Sequence, residues 1–421
     1  MKIIVLGAGV IGTTTAYYLA RDGHEVHVIE RQKEAAMETS HSNGGVIHTS
    51  EVEPWSKPGM PQKVLSWIGR QDAPMLLNPS ALPSMWLWGL KFIRNCTAER
   101  YRRASQLNLR LALLTLKEIK GIREECEIEY DMKANGSIKI FRDKAEMDFA
   151  ERETDRLRAY GMQFAALSPD RCIEVEPALA AIKDQLVGAL YAEKDEHGDC
   201  QKFTIGLRKY LEGKLGVTFH FGTSLEKINR DRDKVSGIIT SLGEMVADAY
   251  VAALASHSSK YLSPLGVSTD IYPAKGISVT VPADNWPAGP KVPVLDISKL
   301  FGLIKIGNNY RCSGSVEFNG WDTVPSPARA QSIVRNVIGV FPDFSRCYDP
   351  ETAVVWCGLR PMSASGSPYV GQSRLSNLYL NCGHGHLGWT MSCGSSRLVS
   401  DIILGRKTTV EAEGLTPATH I

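Results

Sequence analysis

Hydrophobic and polar positions change period several times along the chain, and each change predicts an element. Ile3 to Leu6 form an unbroken apolar run, the pattern of a parallel strand buried on both faces. A glycine turn follows, then helical spacing over Thr13 to Arg21, a stop at Gly23 and a second strand over Glu25 to Ile29. Residues 97–126 carry leucines at i, i+3, i+4 with charges opposite, which predicts one long amphipathic helix. Gly136 to Phe141 reads as a strand, Lys144 to Tyr160 as a charged helix and Leu186 to Ala192 as another strand. Asp199 is placed to N-cap a helix over Gln201 to Lys214. A run of strands then ends in apolar Tyr250 to Ala255. Further strands are predicted over Ile271 to Val281 and Leu303 to Val316, divided by a proline-rich loop. Arg329 to Phe341 is a helix, Leu378 to Asn381 a strand, and a last helix bears Leu398, Ile402 and Ile403. Strand, helix and strand at the start, with similar strands returning later, predict an α/β fold whose Rossmann-type domain is interrupted and resumed.

The first turn carries chemistry. Gly7, Gly9 and Gly12 stand in the spacing G-x-G-x-x-G. The first allows a tight turn, the second lets backbone approach a pyrophosphate, and the third lets the helix pack against the sheet with its amides toward the anion. Glu30 closes the second strand, where a carboxylate can take the ribose hydroxyls of an adenosine. Together these point to an ADP-containing dinucleotide. Thr39, Ser40, Ser42, Asn43, Gly44 and Gly45 form a polar loop directly downstream, able to set donors around a pyrophosphate. His48 follows, equally suited to packing or to meeting substrate. Near the other end Gly383, Gly385 and Gly388 lead into a helix, a second place where backbone donors can face an electron-rich group. No second G-x-G-x-x-G occurs, so one dinucleotide is expected rather than two.

Composition narrows the partners. The 421 residues hold 48 basic and 46 acidic side chains, a net charge of +2, so no bulk field recommends nucleic acid. No secretory signal or apolar stretch of about 18 residues is read, and nine scattered cysteines without C-x-x-C suggest reduced thiols in a cytoplasmic protein. Residues 54–95 differ in character: Trp55, Trp67, Trp86 and Trp88 alternate with Lys57, Lys63, Arg70, Lys91 and Arg94. Such a stretch suits either a tryptophan-rich core or peripheral contact with an anionic membrane on its inner face. No catalytic triad or metal constellation is visible.

The segments GAGVIG with Glu30, ETSHSNGG, EPWSKPGMP, EVEPAL, GDCQKFT, YPAKG, WCGLRPMSASGSPYVG and GHGHLGWTMSCGS jointly resemble the FAD-dependent D-amino acid dehydrogenases. That family lies within the glycine, sarcosine and D-amino acid oxidase superfamily. The resemblance covers nearly the whole chain. It implies an FAD-binding domain of residues 1–58, 199–266 and 350–421, and a substrate domain of 59–198 and 267–349 built on an antiparallel sheet. It further implies non-covalent FAD held by Gly7, Gly9, Val10, Ile11, Gly12, Glu30, Arg31, Ser40, Asn43, Gly44, Gly45 and Val46. Leu225 would lie against adenine; Ala255, Gly358, Arg360 and the loop His386, Leu387, Gly388, Trp389, Thr390 would complete the cofactor site. Ala255 stands where the family pattern has glycine. Cys357 stands one position before the cysteine that tethers flavin in sarcosine oxidases, so its side chain should point to the other strand face.

The implied reaction is hydride transfer from a D-amino acid Cα to flavin N5, with the imino acid hydrolysing to a 2-oxo acid and ammonia. Electrons would pass to a quinone or other carrier. An oxidase of glycine, sarcosine or hydroxyproline-like cyclic amines is the alternative, and an FAD-binding subunit without turnover a further one. Arg360 is the first candidate for the substrate carboxylate, since a guanidinium fork suits bidentate binding. His386 occupies the place of a second arginine in the glycine oxidase branch, which would weaken the clamp or make it pH-dependent. His48, Tyr272 and Tyr310 are further candidates for the substrate face, and Lys275 is expected to be structural.

Overall fold

The structure is a computed structural model and describes residues 1–67, 75–284 and 286–416. Arg70 of the tryptophan-and-basic stretch and Asn285 of the proline-rich loop lie outside the described residues. Two sheets carry the fold. The first has six strands in the order Tyr369–Gln372, Leu378–Cys382, Ala249–Ala252, Lys2–Leu6, Glu25–Ile29 and Thr218–His220. All pairings are parallel except the outermost, between Tyr369–Gln372 and Leu378–Cys382. Ile3, Ile4, Val5 and Leu6 are fully buried, which is why that strand reads as an unbroken apolar run. The neighbouring Ala249–Ala252 arrives from much later in the chain and continues the parallel sheet, so the nucleotide-type domain is resumed after an insertion.

Helix Val10–Arg21 packs on helix Ser392–Ile403, and the latter on the long helix Ala98–Glu125. Gly394 makes the last contact close: a Cβ there would stand 2.2 Å from the Leu111 carbonyl oxygen. The long helix thus lies on the first domain, although the sequence places it in the second. The helix capped by Asp199 spans Cys200–Leu215, with Asp199 Oδ1 accepting from the Lys202 amide at 2.9 Å.

The second sheet has nine strands and is antiparallel apart from two parallel pairings. Its edge is Val354–Ser363, which runs in continuous register with Ile271–Pro282 from Ile271 opposite Ser363 to Thr280 opposite Val354. The expected boundary at residue 350 therefore falls ahead of a strand that belongs to this sheet. Helix Leu82–Asn95 divides the tryptophans. Met85 and Trp88 face inward, Trp88 against Tyr272 and Phe318, while Trp86, Leu87, Leu90 and Ile93 are exposed. No helix of the described residues is long and apolar enough to cross a membrane.

Candidate active site

The glycine turn is set by sterics. Gly7 has φ +105°, and a Cβ on Gly12 would stand 1.8 Å from the Gly7 carbonyl oxygen, so helix and turn touch through bare backbone. Gly9 is open by comparison, with only Ser40 Oγ near its missing Cβ at 3.5 Å. Ser40 Oγ accepts from the Val10 amide, which ties the polar loop to the helix N-terminus. Glu30 is held at the strand end by the amides of Ala8 and Gln32, at 2.8 and 2.9 Å. Burial pushes its carboxyl up against the lowering effect of those two amides. A carboxylate keeps lone pairs beyond the two used here, so hydroxyl donors can still be accepted.

Beyond this turn a cavity of roughly 370 Å³ opens between the two sheets. Residues 9–11, 42–46 and 384–389 form its nucleotide-side wall, and strand residues around Gly276, Gly314 and Gly358 form the opposite one. Thr390 joins the chain ends: its Oγ1 accepts from the His48 amide at 3.2 Å and reaches the Val46 carbonyl at 3.5 Å. Gly276 and Gly358 face each other across paired strands. Each missing side chain leaves room for a larger one. A Cβ on Gly276 would meet the Arg360 guanidinium at 1.9 Å, and one on Gly358 would meet the Trp356 ring at 2.2 Å. Arg360 and Trp356 thus lie flat on a floor that two glycines make.

Arg360 donates through Nη1 to the Ser315 carbonyl at 3.3 Å, and its guanidinium stands 5.8 Å from the Trp55 ring centroid. Among the described residues it has no carboxylate partner. Burial pulls its guanidinium down to about 10, the direction expected when a charge is held without a counterion. His386 stacks on Trp55 with ring centroids 5.0 Å apart, and burial holds it down to about 4. Its Nε2 is buried without a hydrogen-bond partner among the described residues. The resemblance implies a clamp that is weakened or made pH-dependent at this position, and the downward push on the imidazole goes with the weakened one. His48 Nδ1 stands 3.5 Å from Asp195 Oδ2. Asp195 is fully buried and accepts from the Thr49 amide and from the Thr49, Ser50 and Ser137 hydroxyls. Burial alone would raise this carboxyl, but His48 and these donors outweigh it and hold it low.

A model of FAD dependent oxidoreductases matches residues 2–402 of the chain. The chain belongs to the FAD dependent oxidoreductase family. It is 42% identical over 411 residues to a D-amino acid dehydrogenase of Allorhizobium ampelinum, covering 98% of this chain and 96% of that one. A D-amino acid dehydrogenase of Bradyrhizobium diazoefficiens is 40% identical over 416 residues, covering 99% and 98%. Among solved structures, glycine oxidase from Geobacillus kaustophilus superposes with a TM-score of 0.78 at 21% identity, over 100% of this chain and 98% of that one. L-proline dehydrogenase from P. horikoshii does so at 0.78 and 17%, over 99% and 96%. At these identities the likeness concerns the fold.

The residues of this oxidoreductase fit FAD. A backbone cradle lines the cavity, Gly44 has only Ser313 Oγ within reach of an added Cβ at 3.6 Å, and Glu30 waits at the strand end. Of the expected cofactor residues, Gly9, Val10, Ile11, Ser40, Asn43 to Val46, Ala255, Gly358, Arg360 and His386 to Trp389 line the cavity. Gly7, Gly12 and Glu30 stand on the turn and strand end that adjoin residues 9–11 of its wall. Arg31 is engaged with Glu38 and His257, and Leu225 lies in a three-stranded sheet with its carbonyl taken by Tyr261. Ala255 holds φ +47°, a left-handed conformation in which glycine is unstrained, and this accounts for the family's glycine there.

Tyr272 and Tyr310 do not face the cavity. Tyr272 packs with Trp88, its hydroxyl 2.8 Å from Ser84 Oγ. Tyr310 is buried against Trp286 on the far face of the sheet, because its neighbour Arg311 takes the near face, bonding Asn43 and Asp199. Lys275 is structural as expected, buried between Glu317 and Asp322. Cys357 points away from the cavity, toward Thr323. Sequence reasoning did not single out Gly276, Trp356 or Glu51, all of which line the cavity. Glu51 follows His48 closely in the chain, and that adjacency was its one available signal.

Proposed function

We propose that this flavoprotein oxidatively deaminates D-amino acids to 2-oxo acids and ammonia and passes the electrons to a carrier such as a quinone. FAD, when bound, supplies the acceptor for a hydride leaving the substrate Cα. The carrying observation is Arg360: a half-buried guanidinium, without a carboxylate partner among the described residues, faces the cavity and is matched in charge and shape by a substrate carboxylate. The relatives named D-amino acid dehydrogenase, at about 40% identity over the whole chain, support the same reading.

The side chains divide the work. Arg360 binds the carboxylate and fixes its plane. Trp55, its ring centroid 5.8 Å from the guanidinium carbon, covers the charge on one side, which strengthens its hold. His386 Nε2 accepts a hydrogen bond from the substrate amine but, being hard to protonate, does not keep the proton. The amine must therefore arrive neutral or lose its proton to solvent. His48, oriented by Asp195, borders the same space.

A lipid-borne acceptor is supported by the exposed apolar face of Leu82–Asn95, flanked by Lys91 and Arg94, which suits an anionic surface. All nine cysteines are free thiols, which supports a place on the cytoplasmic side. Anaerobic mixing of the holoenzyme with a panel of D- and L-amino acids, read at the flavin band, tests the reaction: bleaching by D-isomers is expected, and none by any amine would overturn it. Aerobic turnover with stoichiometric peroxide would replace the carrier by oxygen.

A further inference from the structure

A second fixed charge faces the cavity that holds Arg360. Glu51 lines the wall, and a quarter of its side-chain surface is exposed. Its carboxylate pairs with Lys139, which is almost fully buried, donates to the Ser50 carbonyl at 3.0 Å and is shared with Glu53 at 3.9 Å. One ammonium therefore lies beside two carboxyl groups. The next buried carboxyl, Asp195, stands 3.5 Å from His48 Nδ1. Burial would raise the Glu51 carboxyl, but Lys139 outweighs it and holds it low, so the carboxylate is ionised. The neighbouring Glu53 carboxyl is pushed up by burial and by Glu51, so it resists a second negative charge beside Lys139, and Glu51 is the carboxylate that a cation in the cavity would meet. Glu51, His386 and Arg360 line the same cavity, so a ligand held there is bounded by all three.

We propose that Glu51 is a specificity-determining residue that selects D-amino acids carrying a cationic side chain, an ammonium or guanidinium. This rests on the reading of the cavity as an amino acid site and names the substrate class within it. The α-amine is not the cation that Glu51 holds. A fixed carboxylate would keep that amine protonated, and a protonated amine has no lone pair to assist departure of the Cα hydride. With the α-carboxylate on Arg360 and the α-amine at His386, the side chain is left to reach Glu51. Acidic side chains are repelled by the same charge.

The test compares wild type, Glu51→Gln and Glu51→Asp holoenzymes. The ratio of kcat/KM for D-arginine or D-lysine over D-norleucine is expected to fall about tenfold or more in Glu51→Gln and to be partly retained in Glu51→Asp. Calorimetry with 5-guanidinopentanoate and hexanoate gives a readout free of turnover: wild type should prefer the guanidino acid, and Glu51→Gln should lose that preference. An unchanged ratio, or a wild type without preference in either assay, overturns the proposal. If no D-amino acid reduces the flavin, the proposed reaction fails while calorimetry still decides the role of Glu51. Should Glu51→Gln not fold, the wild-type preference and Glu51→Asp decide it.

Discussion

The Arg360 guanidinium lies across Gly276 on the neighbouring strand, so close that a Cβ there would stand 1.9 Å from its Nη1. A strand glycine weakens a sheet, and here it makes room for a charge to lie flat beneath the cavity. Gly276→Ala tests that relationship. The atoms met are the far end of a flexible side chain, so the sheet should survive and the guanidinium should move. Thermal stability is expected to change by no more than about 1–2 kcal/mol. KM for the amino acid, or Kd for a carboxylate inhibitor, should rise about tenfold or more. Unchanged inhibitor binding would show that the position of the guanidinium is not what binds carboxylate.

Arg360→Gln should separate function from stability. Losing the charge-assisted pair to a substrate carboxylate is expected to lower kcat/KM about 100-fold or more. The free protein should be stabilised by up to about 1 kcal/mol, since a half-buried guanidinium whose hydrogen bond goes to a backbone carbonyl is replaced by a neutral group. Urea unfolding of both proteins checks the second half. A variant less stable than wild type would mean that Arg360 is a structural tie, the ordinary role of a buried arginine.

The contrast between these two residues also shows what a sequence can carry. Local features were legible: the glycine turn, Glu30 at its strand end and the Asp199 cap depend on neighbours in the chain, and they stand where spacing put them. Arg360 was legible only through resemblance. Gly276 was hidden, because its meaning lies in the strand opposite. Tyr310 was placed on the wrong face for a related reason. Alternation says that Tyr310 and Arg311 point oppositely but not which of them faces the cavity, and the burial of Trp286 decides it. The sheet membership of Val354–Ser363, just past the boundary expected at 350, is likewise a pairing with distant residues.

Ala255→Gly should be tolerated or beneficial. An L-residue in the left-handed region is strained by about 1–2 kcal/mol, and the greater freedom of glycine in the unfolded chain offsets about 0.5–1 kcal/mol of the relief. A net gain of up to about 1 kcal/mol is expected in urea unfolding. Because Ala255 also lines the cavity, removing its methyl should tighten FAD, read as a lower Kd in fluorescence titration of the apoprotein. Weaker FAD would show that the methyl packs on the cofactor.

Acid should unfold this protein early, for a reason that lies in its buried histidines. Burial holds His197 and His386 down to about 4 and His384 down to about 3, against an ordinary value of 6.5. Their folded-state values are depressed, so below about pH 6.5 the unfolded chain binds protons that the folded chain refuses. Stability is then fully present above pH 6.5 and falls as pH drops toward 4, with each histidine adding about 1.4 kcal/mol per pH unit within that window. Urea midpoints between pH 7.5 and 4.5 should show this slope, and His386→Gln should remove about one proton's share of it. An identical slope in the variant would mean that His386 titrates normally.

The outward face of Leu82–Asn95 gives the last test. Trp86 is 57% exposed and Leu90 53%, on a helix whose other face buries Met85 and Trp88, so the outer face can be changed without touching the core. Each fully buried apolar side chain contributes about 1.5–3 kcal/mol, and partial insertion of two such groups, helped by Lys91 and Arg94, is enough for reversible binding to an anionic bilayer. Wild type is expected to co-sediment with vesicles containing phosphatidylglycerol at low salt, less so at high salt. The Trp86→Glu/Leu90→Glu double variant should stay in the supernatant while still reducing a soluble dye with a D-amino acid. Its turnover with a quinone embedded in those vesicles should fall with the binding. Full quinone turnover by a variant that no longer sediments would show that the acceptor is reached from solution, and the apolar face would then need another partner.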